Sequence, residues 1–399
     1  MSESRSDWIG LRVARWRDIA GMTQQQLADA LGVSRPYICM IENGSRAVTK
    51  RALLHNLASA LGVEATDLTG QPYKPQRRED LLIARAIPLL RVALDEDLEA
   101  TAKLSVERIR ETVEAVMRAR MDCQYQRVVE LLPELITQTR TLAQSSTYRV
   151  EGLKLATKTL QCAGMTLKTF GHIDLAVRFA DRAHELAMLS EEPAYRAATS
   201  FTAAQFALAG GTPRRALRLA TAAAEQLGDY GENEERHWYG MLHLNAALVS
   251  AGLGRADDSA AHLAEAGIAA AHSHGDPWHM EFGPTNVAIW RVSCALENGE
   301  AERAPSLAKK INAALIRTPE RRARLHIDCG RGFYAAGNIE AAVRQFLVAD
   351  QLAPQDVRFR PQVREIVIHM TRGIGGQSGS DMLRELASRV GVDPTMDEL

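Results

Sequence analysis

The side chains whose types and spacing point to chemistry gather near the start of this 399-residue chain. From Thr23 the sequence runs Thr-Gln-Gln-Gln-Leu-Ala-Asp-Ala-Leu-Gly-Val-Ser-Arg-Pro-Tyr-Ile-Cys-Met-Ile-Glu-Asn-Gly44. Thr23 and Gln26 have the spacing of a capping box, which starts one helix. Leu27, Ala28 and Leu31 form its apolar stripe, Gly32 ends it and Val33 plugs the turn. Ser34 is placed to cap a second helix. Pro36 is tolerated in that helix's first turn, where its missing N–H would have no intrahelical partner. Ile38 and Ile41 supply the buried side. Two short helices joined in this way present the first residues of the second to a major groove.

Other chemistry-bearing groups lead less far. The run His272-Ser-His-Gly-Asp-Pro-Trp-His279 has three histidines and Asp276, which could ligate zinc in principle. It lies in a loop without a recognised ligand spacing, so no metal is expected. HExxH, GxSxG, a phosphate-cradling Gly-Lys-Ser/Thr loop and a calcium loop are all lacking, so neither an enzyme nor a cofactor is expected. The five cysteines are scattered without a CxxC pair, which suits a reduced compartment. Cys39 is expected to face the core or the helix flank as a small hydrophobe. No apolar run approaches the ~20 residues of a membrane span. The first seven residues lack an apolar signal core, so a cytoplasmic location is expected.

The elements that must hold these groups are helical throughout, since apolar residues recur every three or four positions. Residues 8–70 read as five short helices broken at Gly21, Gly32, Gly44 and Gly62. Gly70-Gln-Pro-Tyr-Lys-Pro-Gln-Arg-Arg78 then reads as a linker. The formal net charge of −1 hides an uneven distribution: residues 1–78 carry 11 basic and 7 acidic side chains, the remainder 37 and 42. A basic head precedes an acidic body. In the body, Gly171, Gly211, Gly254, Gly299 and Gly337 each sit between two helical segments. The residue five further on is always small: Ala176, Ala216, Ser259, Ala304, Ala342. A turn glycine followed by a small packing residue is the signature of stacked helix pairs. An earlier pair is expected over 104–143, turning near Asp122-Cys-Gln-Tyr125. The expected boundaries are a head at 1–72, a linker at 73–80, repeats at 81–372, a tether at 373–379 and a last helix at 380–399. Ser380 would cap that helix. Met382, Leu383, Leu386 and Val390 would form its apolar face, either capping the array or docking on a partner.

Residues 8–70 resemble the helix-turn-helix of the Xre/Cro/CI-type repressors. The resemblance rests on Leu11-Arg12, Thr23-Gln24, Leu27-Ala28, Gly32-Val33-Ser34, Ile41-Glu42-Asn43-Gly44 and Leu57-Ala58. It implies an all-α chain: a five-helix lambda-repressor-like domain followed by an α-solenoid. It also implies a DNA-binding set of Thr23, Gln24, Ser34, Arg35, Pro36, Tyr37, Asn43, Arg46 and Lys50. Gln24 would contact phosphate and brace the recognition helix, while Arg35, Pro36 and Tyr37 would read bases, Arg35 bidentately on guanine. Asn43, Arg46 and Lys50 would clamp phosphates. Pro36 and Tyr37 depart from the small polar residues common at these positions.

Ala335-Ala-Gly-Asn-Ile-Glu-Ala-Ala342 and Phe170-Gly-His-Ile-Asp-Leu-Ala176 resemble tetratricopeptide repeats of the long-helix kind. A Xre-type head on such an array resembles the RRNPP peptide-responsive regulators and the HTH–TPR regulators of actinomycetes. That resemblance implies a homodimer on palindromic double-stranded DNA, gated by a peptide or small-molecule effector in the concave groove. Candidate groove residues are His243, Asn245, Asn286, Trp290, Arg291, Asp328 and Arg331. The alternative is a constitutive repressor or an adaptor whose repeats serve only dimerisation or docking.

Overall fold

The computed structural model describes residues 8–95, 104–228, 231–373 and 381–392, and there is no strand among these described residues. Five helices form the head: α1 (Ile9–Ile19), α2 (Gln24–Leu31), α3 (Arg35–Glu42), α4 (Arg51–Leu61) and α5 (Ala65–Thr69). Val13, Leu27, Ala28, Ile38, Ile41, Leu57 and Leu68 are fully buried at its centre, so the apolar stripes read from sequence do meet. Gly10 lets α1 cross α3 closely, because a Cβ there would fall 1.8 Å from the Ile41 carbonyl oxygen.

The array begins with α6 (Arg78–Asp95), α7 (Val106–Met121) and α8 (Tyr125–Ala143). The pair expected over 104–143 thus turns at residues 122–124. Antiparallel pairs follow: α9 (Arg149–Thr169) with α10 (Ile173–Ser190), α11 (Pro193–Ala209) with α12 (Pro213–Leu227), and α13 (Asn233–Gly252) with α14 (Ala256–Ala271). All five turn glycines have φ between +75° and +89°, the left-handed region that suits glycine. Ala176, Ala216, Ala304 and Ala342 are 0% exposed and Ser259 is 1% exposed. Each small residue therefore lies where its helix presses on its neighbour.

One unit departs from this pattern. After α15 (Pro284–Asn298) the second helix is reduced to α16 (Ala304–Ala308), followed by a short 3-10 turn at Ala313–Leu315. Asn312 caps that turn by accepting from the Ala314 N–H, which interrupts the helical ladder. The array resumes with α17 (Pro319–Ala335) and α18 (Ile339–Leu352), and closes with α19 (Pro354–Arg358), α20 (Pro361–Gly373) and α21 (Asp381–Val390).

Leu383, Leu386 and Val390 are buried against α18 and α20, so α21 covers the end of the array. Residues 374–379 and Ser380 lie outside the described residues. The two ends of the array meet. Asp80 on α6 pairs with Arg358 on α19 at 2.6 Å, both buried, and the Tyr125 hydroxyl donates to Asp356 at 2.7 Å. The linker is pinned at the same seam, where Gln71 donates to the Phe359 carbonyl at 3.0 Å and Tyr73 lies under the Arg364 guanidinium.

Candidate nucleic-acid interface

The end of the head expected to meet DNA is built by α2 and α3. Thr23 and Gln26 form the reciprocal capping box: the Gln26 N–H donates to Thr23 Oγ1 at 3.2 Å and the Thr23 N–H to Gln26 Oε1 at 2.8 Å. Gln24 donates to Glu42 at 2.8 Å, and Arg17 from α1 donates to the same carboxylate at 2.6 Å. That hydrogen bond raises the pKa of Arg17. Glu42 thereby ties three helices together. Ser34 holds the N-cap position of α3 but makes no side-chain cap bond; its carbonyl accepts from the Tyr37 N–H instead. Arg35 and Pro36 are exposed, and Tyr37 is half-buried beneath the Arg46 guanidinium, 4.6 Å from its ring centroid. Asn43 uses its side chain to accept from the Ser45 N–H at 2.9 Å and so shapes the following loop. Cys39 is exposed, contrary to expectation. It stands one turn after Arg35, on the same side of α3.

The head is clamped to the array through the start of α1 and the segment 43–51. Besides α3, two more head helices start without side-chain caps, because Trp8 and Lys50 occupy the N-cap positions of α1 and α4 and make no such bond. The array supplies the missing acceptors. Glu365 on α20 accepts from the Ile9 N–H at 3.1 Å and the Val48 N–H at 3.4 Å. Glu297 on α15 accepts from the Arg51 N–H at 3.3 Å. Carboxylates at helix N-termini satisfy orphan donors and meet the positive end of the helix dipole. Burial nevertheless pushes Glu365 up to about 7, against the lowering pull of those two N–H groups and of Arg12 and Arg372.

Further bonds complete the clamp. Arg331 on α17 donates to the Thr49 carbonyl at 3.1 Å while pairing with Glu297 and Asp328. Arg372 donates to the Asn43 carbonyl at 3.3 Å and lies 3.6 Å from the Trp8 ring centroid, and His369 meets the Ser45 carbonyl at 3.2 Å. Lys50 lies against Gly299, at the C-terminal end of α15, where carbonyl dipoles favour a cation.

The seven candidate groove residues take different places. Trp290 borders a cavity, with only 7% of its surface exposed. Arg331 and Asp328 belong to the clamp just described. Asn245 is fully buried and donates to the Phe201 carbonyl, and Asn286 donates to the Met280 carbonyl and accepts from Arg321. His243 is turned between α13 and α14 towards His262, 3.1 Å away, and burial lowers it to about 4. Arg291 is exposed and is not among the cavity-lining residues. The histidine loop serves packing: Trp278 is 2% exposed, Asp276 accepts from the Met280 and Glu281 N–H groups, and His279 meets Glu114 at 2.6 Å. Phe282, which follows this loop, is part of the core.

The cavity, about 210 Å³, lies between the array and the head, and α7, α9, α11, α13, α15 and α17 border it on the array side. Head residues Arg51, Leu54, His55, Thr66 and Thr69 make up another of its sides. Glu365, Glu297 and the cavity's cations had no motif to mark them. The available signal was indirect, in two helix starts occupied by Trp8 and Lys50.

The head's geometry agrees with comparison to known proteins. Residues 8–69 match the family model described as "Helix-turn-helix domain". These residues are a helix-turn-helix domain. No curated protein matches the chain. Among solved structures, BtubC (BKLC) from P. vanneervenii is 13% identical over 63% of this chain and 91% of its own, with a TM-score of 0.36, a likeness too weak to bear on function. No described helix is long and apolar enough to cross a membrane.

Proposed function

We propose that this protein is a sequence-specific DNA-binding transcriptional regulator, a homodimer whose helical array holds the heads in place and responds to a ligand. One observation carries the reading. The first residues of α3, Arg35 and Pro36, stand exposed, while the start of α1 and the segment 43–51 are fixed to α15, α17 and α20. A recognition helix enters the groove by its N-terminal residues, so the docked head keeps its reading end free. Arg35 would bond a guanine edge, with Gln24 and Arg46 on flanking phosphates.

Because the loop carrying Asn43, Arg46 and Lys50 is also the loop held by Glu365, Arg331, His369 and Arg372, docking sets the orientation in which each head is offered. In a dimer that orientation fixes half-site spacing, which must fall near one helical turn or a multiple of it. A ligand that favours one docked arrangement would thereby shift operator affinity.

The test is selection from a pool of random duplexes by the full-length chain. Convergence on one sequence built of two half-sites supports the reading. Retention of all duplexes alike, or of none, overturns it.

A further inference from the structure

The cavity under the head has an unusual wall. Six cationic side chains border it (Arg51, Arg120, Lys168, Arg321, Arg324, Arg360) against two carboxylates, Glu320 and Asp356. Both carboxylates are already engaged, Glu320 with Arg321 and Asp356 with Arg360 and Tyr125. Arg51 is drawn to Glu297 behind the wall.

Three cations make no direct ion pair, although the charge of Arg324 is felt by Asp328, Glu320 and Asp356. Arg120 is 9% exposed and its guanidinium reaches only the thioether sulfurs of Met121 and Met280, at 3.1 and 3.6 Å. Lys168 donates to the Gln205 amide oxygen at 2.7 Å. Arg324 has a buried Nη1 with no hydrogen-bond partner. Opposite charges are the usual companions of buried cations, and an unpaired cation is costly to bury. The cations also feel one another. Lys168 is held well below its ordinary range by burial and then by Arg324, Arg51, Arg360 and Arg120, and Arg360 is lowered to about 9 by burial and then by Arg324.

The remaining wall mixes apolar side chains, Phe201, Met165, Met241, Leu208 and Trp290, with neutral polar ones such as Gln71, Gln205 and Gln362. Trp290 Nε1 is buried without a partner and has a proton to donate.

We propose that this cavity binds a small acidic molecule, whose carboxylate or phosphate is held by Arg120, Lys168 and Arg324 and whose apolar body lies along Trp290 and Phe201. At about 210 Å³ the space falls below the ~300–1,000 Å³ of drug-sized pockets. A compact ligand suits it, whereas an extended peptide would have to displace the head. Since Arg51, Thr66 and Thr69 of the head share the wall, such a ligand touches both domains and stabilises the docked arrangement. The proposal names the ligand class for the regulation suggested above and rests on that reading only for its consequence at DNA.

The test needs no DNA, so its failure is distinct from failure of the DNA-binding reading. The full-length chain is titrated calorimetrically with phenylphosphate, benzoate and the uncharged benzyl alcohol, and its unfolding temperature is followed with each. At least one anion is expected to bind and to raise the unfolding temperature, with benzyl alcohol doing neither. Which anion binds tells phosphate from carboxylate. In Arg324→Met and Lys168→Met the anion is expected to bind at least about tenfold more weakly. Binding of benzyl alcohol as strongly as the anions, no binding of either anion, or undiminished binding in both variants would overturn the proposal.

Discussion

The two sides of the head solve opposite problems with similar residues. At the reading end, Arg35 and Pro36 stand in solvent and Arg46 rests on Tyr37. On the docked side, Arg331, Glu297, Asp328 and Glu365 are almost wholly buried and bonded to one another or to backbone. Exposed polar groups with few partners leave bonding capacity for another molecule. Buried ones, bonded to fixed partners, hold position. One small domain is therefore held from one side and left open on the other.

Perturbing the buried side should have the largest effect. Arg331→Met takes from Asp328 its one direct ion pair, leaving it the Ser293 hydroxyl, and takes one of two cations from Glu297; a broken buried pair of this kind costs about 3–5 kcal/mol. Urea unfolding should show a loss of that size. A loss below ~1 kcal/mol would mean that the clamp carries little. At the open side, Arg35→Ala should leave unfolding unchanged while removing about 1–3 kcal/mol of preference for the selected duplex over a scrambled one. Competition binding measures it directly.

Glu365 gives the clamp a pH dependence. Its buried pKa of about 7 lies above the ordinary 4.5, so the docked state favours the protonated acid. Docking keeps the full contribution of this group below pH ~4.5 and loses it as pH rises through about 7. Hydrogen-exchange protection at Ile9 and Val48, corrected for intrinsic rates, should fall between pH ~5.5 and ~8. In Glu365→Gln that fall should flatten. Equal slopes in both proteins would remove Glu365 from the clamp.

The smallest effect sharpens the comparison along one loop. Arg46→Ala should lower the salt dependence of DNA binding by about one unit of slope. Lys50→Ala, whose ammonium lies against Gly299, should lower it by less.

Much of the architecture was legible in the sequence because it is local. The Thr23/Gln26 box, the Gly32 turn, and the glycine-plus-five pattern are each set within a few residues, and each is present. What escaped is set by contacts across hundreds of positions. Glu365 and Glu297 look like ordinary helix charges until α1 and α4 arrive without caps of their own. Asn245 and Asn286 suited ligand bonding by residue type, yet they are buried and bond backbone, Asn245 that of the preceding pair and Asn286 that of the loop before its own helix. The cavity cations Arg120, Lys168 and Arg324 come from three helices that only closure of the array brings together.

The most direct test of the account uses a probe already in place. Cys39 is exposed on α3 beside the reading end, and the other four cysteines are buried. Alkylation of the native protein should therefore show one fast thiol, and a selected duplex should slow it sharply while a scrambled duplex should not. A Cys39 that reacts at the same rate with and without the selected duplex would place DNA elsewhere and contradict the account.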